Sequence, residues 1–337
     1  MFDACNLCCE FCYLGSHRSR PQRKIFSDAA GDFASCIPER IKNGGYEEVV
    51  VRLYGGEIFA DSNEDWVYEA CRELVAFIKS ILMVPVKTKF ISNCVFADWG
   101  RAESLLEETG SCLNMSYDPA GRYTDERMRR LAIKTGRHFI ERGLLNEVTT
   151  LLTAQNIEAI VKGDAFLDSL GESIRVEFSD YVPNEKWERC TPDAERLCQL
   201  YRWGVDNARY GIELFYDLMS CAAHETKEKT KFCSCDNTLI YVPAERRFIN
   251  ECVERNRQVQ RQFGGTGDEV RMSSMLKEAC VYCEYYRTCP MHCAKTTLFD
   301  ACAGGCPARM LFESVTPEDV SRFEEWRKLH EDAARRS

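Results

Sequence analysis

The sequence lacks the features of a membrane-spanning, exported or nucleic-acid-coating protein. It contains no run of about eighteen consecutive apolar residues, so no membrane-spanning helix and no membrane partner are expected. No basic stretch followed by an apolar one opens the chain, which argues against a secretory signal and favours a cytoplasmic location. The formal net charge of −9 argues against a protein that coats nucleic acid.

Cysteine, by contrast, is abundant. The 337 residues include 20 cysteines. Because no export signal is visible, metal ligation explains them better than ten disulfide bonds. Four lie within residues 5–12 and ten within residues 221–306. We therefore expect two metal-binding regions separated by a scaffold.

The scaffold alternates strand and helix patterns. Short strands are predicted at 48–53, 87–91, 112–117, 148–153 and 174–178, with a further strand before Cys5. Helices between such strands are typical of βα units, so the predicted fold class is α/β, a partial (β/α)6 TIM-type barrel with a C-terminal Cys-rich domain. The predicted organisation is a barrel over 1–180, a helical bridge over 181–220, the Cys-rich domain over 221–315 and a final helix over 316–337.

The first cysteine group has the spacing C-x3-C-x2-C at Cys5, Cys9 and Cys12. Three thiolates on one tight loop can hold three irons of a [4Fe–4S] cluster and leave the fourth iron open. A zinc site is the alternative, since Cys8 can supply the fourth ligand that zinc needs.

Two motifs together resemble the radical S-adenosylmethionine (SAM) superfamily. The first is the segment from Cys5 to Tyr13, and the second is Tyr54-Gly55-Gly56-Glu57 at the end of a strand. The resemblance implies that Cys5, Cys9 and Cys12 hold the [4Fe–4S] cluster and that Tyr13 lies near the adenine of SAM. It also implies that Glu57 and the backbone of Gly55 and Gly56 hold the amino group of SAM.

Further matches to this superfamily follow the next two strands. Ser92-Asn93 and Ser116 occupy positions that contact SAM in the superfamily, and one of Arg129, Arg130 or Arg137 would meet the SAM carboxylate. The candidates for proton or hydrogen-atom transfer are Asp118, Cys94 and Tyr117, which lie at predicted strand ends.

The second cysteine group resembles the SPASM (or twitch-type) extension of radical SAM enzymes. Its core reads C-x2-C-x5-C-x3-C, and a predicted hairpin with a turn at 243–245 precedes it. By this resemblance one auxiliary [4Fe–4S] cluster is held by Cys233, Cys235, Cys252 and Cys293. The other is held by Cys280, Cys283, Cys289 and Cys306, with Cys302 as the alternative to Cys306. Paired zinc sites are the other interpretation of these spacings.

The resemblance implies an enzyme that reductively cleaves SAM to a 5′-deoxyadenosyl radical, which takes hydrogen from a substrate C–H bond. The expected substrate is an amino-acid side chain in a peptide or protein, and the expected electron donor is a flavodoxin or ferredoxin. A small molecule, or a nucleotide or nucleic-acid base, is the alternative substrate. A non-catalytic zinc or iron–sulfur module is the alternative from another functional class.

Overall fold

Alternating strands and helices build the first half of the chain. The computed structural model describes residues 4–12, 20–171, 173–180, 190–223, 238–250, 285 and 306–336. In chain order the elements of this half are α1 Arg23–Gly44, β1 Val49–Leu53, α2 Asp65–Ile81, β2 Val86–Ser92, α3 Trp99–Thr109, β3 Ser111–Ser116, α4 Glu126–Glu141, β4 Leu145–Leu152, α5 Ala154–Lys162, α6 Ala165–Asp168 and β5 Arg175–Asp180.

The five strands form one sheet in the order β1-β2-β3-β4-β5. The pairs β1–β2, β2–β3 and β3–β4 are parallel, in registers that pair Arg52 with Lys89 and Asn114 with Glu147. Sequential parallel strands joined by helices make up the repeat of a TIM-type barrel, so the predicted partial barrel is confirmed. A strand before Cys5 falls on residues 1–3, outside the described part of the chain.

The first helix of this half is longer than its sequence suggests. Pro38 is expected from the sequence to interrupt the first helix, but α1 continues through it to Gly44. A proline removes one backbone N–H donor, and the packing of Phe26, Phe33 and Ile37 against the core holds the rest of the helix. Helix α3 ends at Gly110, which adopts a left-handed φ of 55° that glycine tolerates well.

The second half of the chain is helical in its described parts, apart from one hairpin. Its elements are α7 Ala194–Asp206, α8 Glu213–Ala222, the hairpin strands β6 Leu239–Val242 and β7 Arg247–Asn250, α9 Pro307–Ser314 and α10 Pro317–Arg336. The sequence predicts one helix over 193–219, but the chain leaves the helix after α7 and Ala208 takes a positive φ of 51°. Arg202 on α7 pairs with Asp319 on α10 at 3.0 Å.

The hairpin β6–β7 confirms the turn predicted at 243–245. It packs on α1, where Asp32 accepts a hydrogen bond from the Tyr241 hydroxyl at 2.7 Å and pairs with Arg246 at 3.0 Å. The rings of Phe33 and Phe248 lie 5.8 Å apart in the same contact.

The chain divides into two compact units. One contains α1–α4, β1–β3, most of β4 and the hairpin, and the other contains the elements from α5 to β5 and α7 to α10. No helix in the described residues has the length and apolar character needed to cross a bilayer.

Candidate functional site

The first cysteine group lies on a short loop that two buried side chains anchor. Leu7 and Phe11 are buried, whereas Cys5, Cys9 and Cys12 are half-buried. The backbone N–H of Cys12 donates to the carbonyl of Cys9 at 3.2 Å, which closes the turn. The sulfurs are therefore carried on a loop that the core holds in place.

This cysteine loop is bonded directly to the Gly-Gly-Glu motif after β1. The backbone N–H of Glu57 donates to the Ala4 carbonyl at 2.8 Å. A Cβ atom on Gly56 would lie 1.7 Å from that same carbonyl oxygen. The close approach explains why glycine is needed at position 56, and it brings together the two motifs on which the superfamily resemblance depends.

The side chain of Glu57 joins the carboxyl ends of β1 and β2. It is 1% exposed, and it accepts hydrogen bonds from the Ser92 hydroxyl at 2.9 Å, the Asn93 N–H at 2.7 Å and the Phe59 N–H at 3.0 Å. Burial raises its pKa to about 7, although these hydrogen bonds oppose the rise. Both carboxylate oxygens of Glu57 thus accept hydrogen bonds from the protein. The side chain thereby holds the ends of β1 and β2 together at the candidate site.

Asn93 links this framework to the cluster loop. Its side-chain amide donates to Asn6 Oδ1 at 2.9 Å and to Cys5 Sγ at 3.7 Å, while its own Oδ1 accepts from the Val95 N–H at 2.8 Å. The N–H of Leu7 also donates to Cys5 Sγ, at 3.4 Å. Cys5 therefore accepts two N–H donors, an arrangement that suits a thiolate ligand.

Ser116, the last residue of β3, and Tyr117, the next residue, occupy separate environments. Ser116 is half-buried and lies beside Thr149 in the sheet register. Tyr117 is buried, and its hydroxyl accepts hydrogen bonds from the Arg129 guanidinium at 3.1 and 3.2 Å. Arg129, one of the three arginines predicted to meet the SAM carboxylate, therefore contacts a predicted site residue. Arg130 instead pairs with Glu126 on the helix surface.

Asp118 and Cys94 are both fully buried. Asp118 Oδ1 accepts from the Leu151 N–H at 2.8 Å and from the Asn156 amide at 2.7 Å, which ties it to the start of α5. Cys94 has a positive φ of 59°, and burial raises the pKa of its thiol well above the usual value. These contacts make both side chains part of the packed framework, and their roles in hydrogen transfer stay predictions.

Three further contacts of the cluster loop have no counterpart in the sequence pattern. The Cys9 thiol donates to the Arg122 carbonyl at 3.6 Å, and the Arg122 guanidinium lies over the Phe11 ring, 5.3 Å from its centroid. Asn6 donates to the Val95 carbonyl at 2.5 Å. These partners are distant in sequence and follow no spacing rule, so no sequence signal identifies them.

The auxiliary-cluster prediction falls mostly outside the described residues. The predicted ligands that are not described are Cys233, Cys235, Cys252, Cys280, Cys283, Cys289, Cys293 and Cys302. Tyr13, predicted to lie near the adenine of SAM, is also outside the described residues. Cys306 is described, half-buried at the start of α9. Within the described ranges, no three His, Cys, Asp or Glu side chains are gathered as a metal site. The ligand sets therefore stay predictions.

Comparisons with known proteins give structural relatives only. No family model and no curated sequence matches the chain. Native anSMEcpe with bound AdoMet and Cp18Cys peptide matches at 14% identity and a TM-score of 0.61, over 96% of this chain and 97% of that one. A histidine-tagged anSMEcpe with bound AdoMet matches at 12% identity and a TM-score of 0.60, over the same shares.

The chain therefore shares the fold of these two anSMEcpe structures, a partial α/β barrel. Streptococcus suis SuiB bound to S-adenosylmethionine also matches at 20% identity, over 61% of this chain and 42% of that one, but its TM-score of 0.37 is too low to support an argument. Cys5, Cys9 and Cys12 lie on one loop, and Cys5 accepts two N–H donors, which suits a thiolate ligand. The structure does not gather these three described cysteines as a metal site, so their role as cluster ligands stays a prediction.

Proposed function

We propose that this chain is a radical SAM enzyme that acts on an amino-acid side chain in a peptide. The contact that carries the proposal joins three elements: the cysteine loop, the Gly-Gly-Glu motif and the end of β2. Ala4, Glu57 and Asn93 make that contact through hydrogen bonds of 2.7 to 2.9 Å. These elements are separated by up to 89 positions in sequence, so their meeting supports one common site at the carboxyl ends of the strands.

Cys5, Cys9 and Cys12 would hold the cluster, and the strand ends around Gly55, Gly56, Ser92 and Ser116 would bind SAM. The chemistry that a bound cluster supplies is one-electron reduction of SAM, with an electron from a flavodoxin or ferredoxin, to methionine and a 5′-deoxyadenosyl radical. The protein's own part is to orient SAM and the substrate and to exclude water. Buried Leu7 and Phe11 would keep the cysteine loop in place when it holds the cluster.

The peptide as substrate rests on structural likeness. The anSMEcpe structure that matches over 96% of this chain contains bound AdoMet and a peptide. The cysteine pattern from 280 to 293 further supports auxiliary clusters. Such a cluster would accept one electron from the substrate radical, which is thereby oxidised.

Anaerobic reconstitution tests this function. We expect about twelve irons per chain for three [4Fe–4S] clusters, and 5′-deoxyadenosine once SAM and dithionite are added. About four irons per chain together with 5′-deoxyadenosine would support the radical SAM cluster but would indicate that the C-terminal cysteines bind another metal. Zinc without iron, and no consumption of SAM, would overturn the proposal.

A further inference from the structure

A β-bulge in β4 decides which face of the sheet Glu147 occupies. Leu113 pairs with Leu145, but the next residue, Asn114, pairs with Glu147, so Asn146 is an extra residue in β4. Side chains alternate between the two faces of a strand, and without the extra residue Glu147 would share a face with Leu113. Bulges of this kind commonly re-aim a side chain next to an active site.

The bulge brings Glu147 into a polar network that crosses four neighbouring strands. Glu147 is 1% exposed and pairs with Lys89 on β2 and with Arg52 on β1, the latter at 3.7 Å. It also accepts a hydrogen bond from the Asn114 amide on β3 at 2.5 Å. Thr149 donates to Asn114 Oδ1 at 3.2 Å and extends the network along β4.

The opposite face of the same strands is mainly apolar, with one hydroxyl pair, Thr88 and Ser111. Leu53, Phe90, Leu113 and Val148 lie there, and each is at most 3% exposed. Strands of a parallel sheet are usually apolar on both faces, and a buried ion pair seldom stabilises a fold more than apolar residues of similar size would. The charged face is therefore better explained by binding than by stability.

The network lies directly below the candidate cofactor site. Arg52 is two residues before Tyr54, Lys89 three before Ser92, and Glu147 two before Thr149, which pairs with Ser116. Two residues of strand span about 6.6 Å. A group bound on this face would thus lie within about 10 Å of the strand ends where SAM is proposed to bind.

We propose that this inner face is a substrate subsite for a carboxylate, with Arg52 and Lys89 as the groups that bind it and Glu147 as the residue that positions both. The inference rests on the proposed function for the identity of the substrate as a peptide. Arg52 is 44% exposed and Lys89 18%, so both cations can be approached. Guanidinium and ammonium groups both bind carboxylates, and a carboxylate is the anionic group that a peptide substrate offers.

Arginine-selective labelling tests the subsite directly. Wild-type protein is treated with phenylglyoxal alone or with acetyl-Ala-Glu-Ala-amide, and labelling is mapped by mass spectrometry. At ten times its Kd, the peptide should slow labelling of Arg52 about tenfold. Arg130, 76% exposed on α4, reports labelling outside the subsite and should not change.

Two further ligands and two lysine variants distinguish this proposal from its alternatives. Acetyl-Ala-Gln-Ala-amide, which lacks only the charge, should give no protection, and neither should inorganic phosphate at the same concentration. Lys89→Gln should abolish protection by the Glu peptide, whereas Lys87→Gln should keep it, because Lys87 lies two residues earlier on β2 and pairs with Glu48.

Equal labelling of Arg52 with and without the Glu peptide would overturn the subsite, as would equal protection by the Gln peptide. Protection by phosphate alone would replace the carboxylate with a phosphate group. The assay needs no radical chemistry, so a protein that cleaves SAM without protecting Arg52 contradicts only the subsite. A protein that protects Arg52 without cleaving SAM contradicts only the proposed function.

Discussion

The backbone N–H of Glu57 donates a hydrogen bond to the carbonyl oxygen of Ala4 at 2.8 Å, immediately before the first cysteine of the cluster loop. The loop is thereby held to the carboxyl end of β1 by main-chain atoms, and the side chain of Glu57 extends the connection to the end of β2. The geometry of the cysteine loop is therefore coupled to the strand ends that would bind SAM.

Gly56→Ala should separate the cysteine loop from β1. The new methyl group would lie 1.7 Å from the Ala4 carbonyl oxygen, so one of the two segments must move. We expect cluster loading and 5′-deoxyadenosine formation to be lost while the far-ultraviolet circular dichroism is retained. Gly100→Ala on α3 is the matched control, since its nearest atom is 4.0 Å away. Full iron content in Gly56→Ala would contradict the close contact.

Asn93→Ala should lower the midpoint potential of the reconstituted cluster. The change removes an N–H donor to Cys5 Sγ, and such donors stabilise the more negative, reduced state. It also removes the hydrogen bond to Asn6, at a cost of about 1–3 kcal/mol in the free energy of unfolding. Potentiometric titration monitored by electron paramagnetic resonance measures the shift. An unchanged or higher potential would show that this donor does not act on Cys5.

Glu57 should make the apo-protein less stable as the pH rises from about 4.5 to 7. Its folded pKa is raised to about 7, against an ordinary value of 4.5, so the folded state binds a proton in this window that the unfolded state has released. The free energy of unfolding should fall by up to the order of 3 kcal/mol across the window and then level off. Glu57→Gln should remove this slope. Urea unfolding of both proteins at each pH measures this. The same pH dependence of the unfolding free energy in wild type and Glu57→Gln would contradict the assignment.

Asp319 should have the opposite effect on the pH dependence of stability, because the free energy of unfolding should fall as the pH is lowered. Burial alone would raise its pKa, but hydrogen bonds from Arg202 and Thr316 outweigh burial and lower it to about 2. The stability that the ionised carboxylate provides should be complete above about pH 4 and should be lost as the pH falls toward 2. Asp319→Asn should cost about 1–3 kcal/mol at pH 7 and weaken this acid dependence. Chemical unfolding at pH 7 and pH 3 measures both effects.

The sequence was sufficient for the framework of the site because local rules govern it. The run before Leu53 is β-branched and ends at two glycines, so both the strand and the position of the Gly-Gly-Glu motif at its carboxyl end could be predicted. The spacing of Cys5, Cys9 and Cys12 likewise depends only on the chain itself.

Features that depend on pairing between distant segments were not predictable. The bulge at Asn146 arises from how β4 aligns with β3, and it reverses the face that alternation alone would give to Glu147. The contacts of Asn93 with Cys5 and Asn6 likewise join segments 87 and 88 positions apart. The interruption between α7 and α8 carries no proline, which explains why the periodicity predicted one helix.

Two neighbouring alanine variants test most directly whether Cys5, Cys9 and Cys12 bind the cluster that reduces SAM. Cys9→Ala removes a predicted ligand, whereas Cys8→Ala removes an exposed thiol outside the C-x3-C-x2-C spacing. After anaerobic reconstitution with SAM and dithionite, we predict that Cys8→Ala forms 5′-deoxyadenosine at the wild-type rate and that Cys9→Ala forms none. Equal rates in the two variants, or loss of activity in Cys8→Ala alone, would contradict the account.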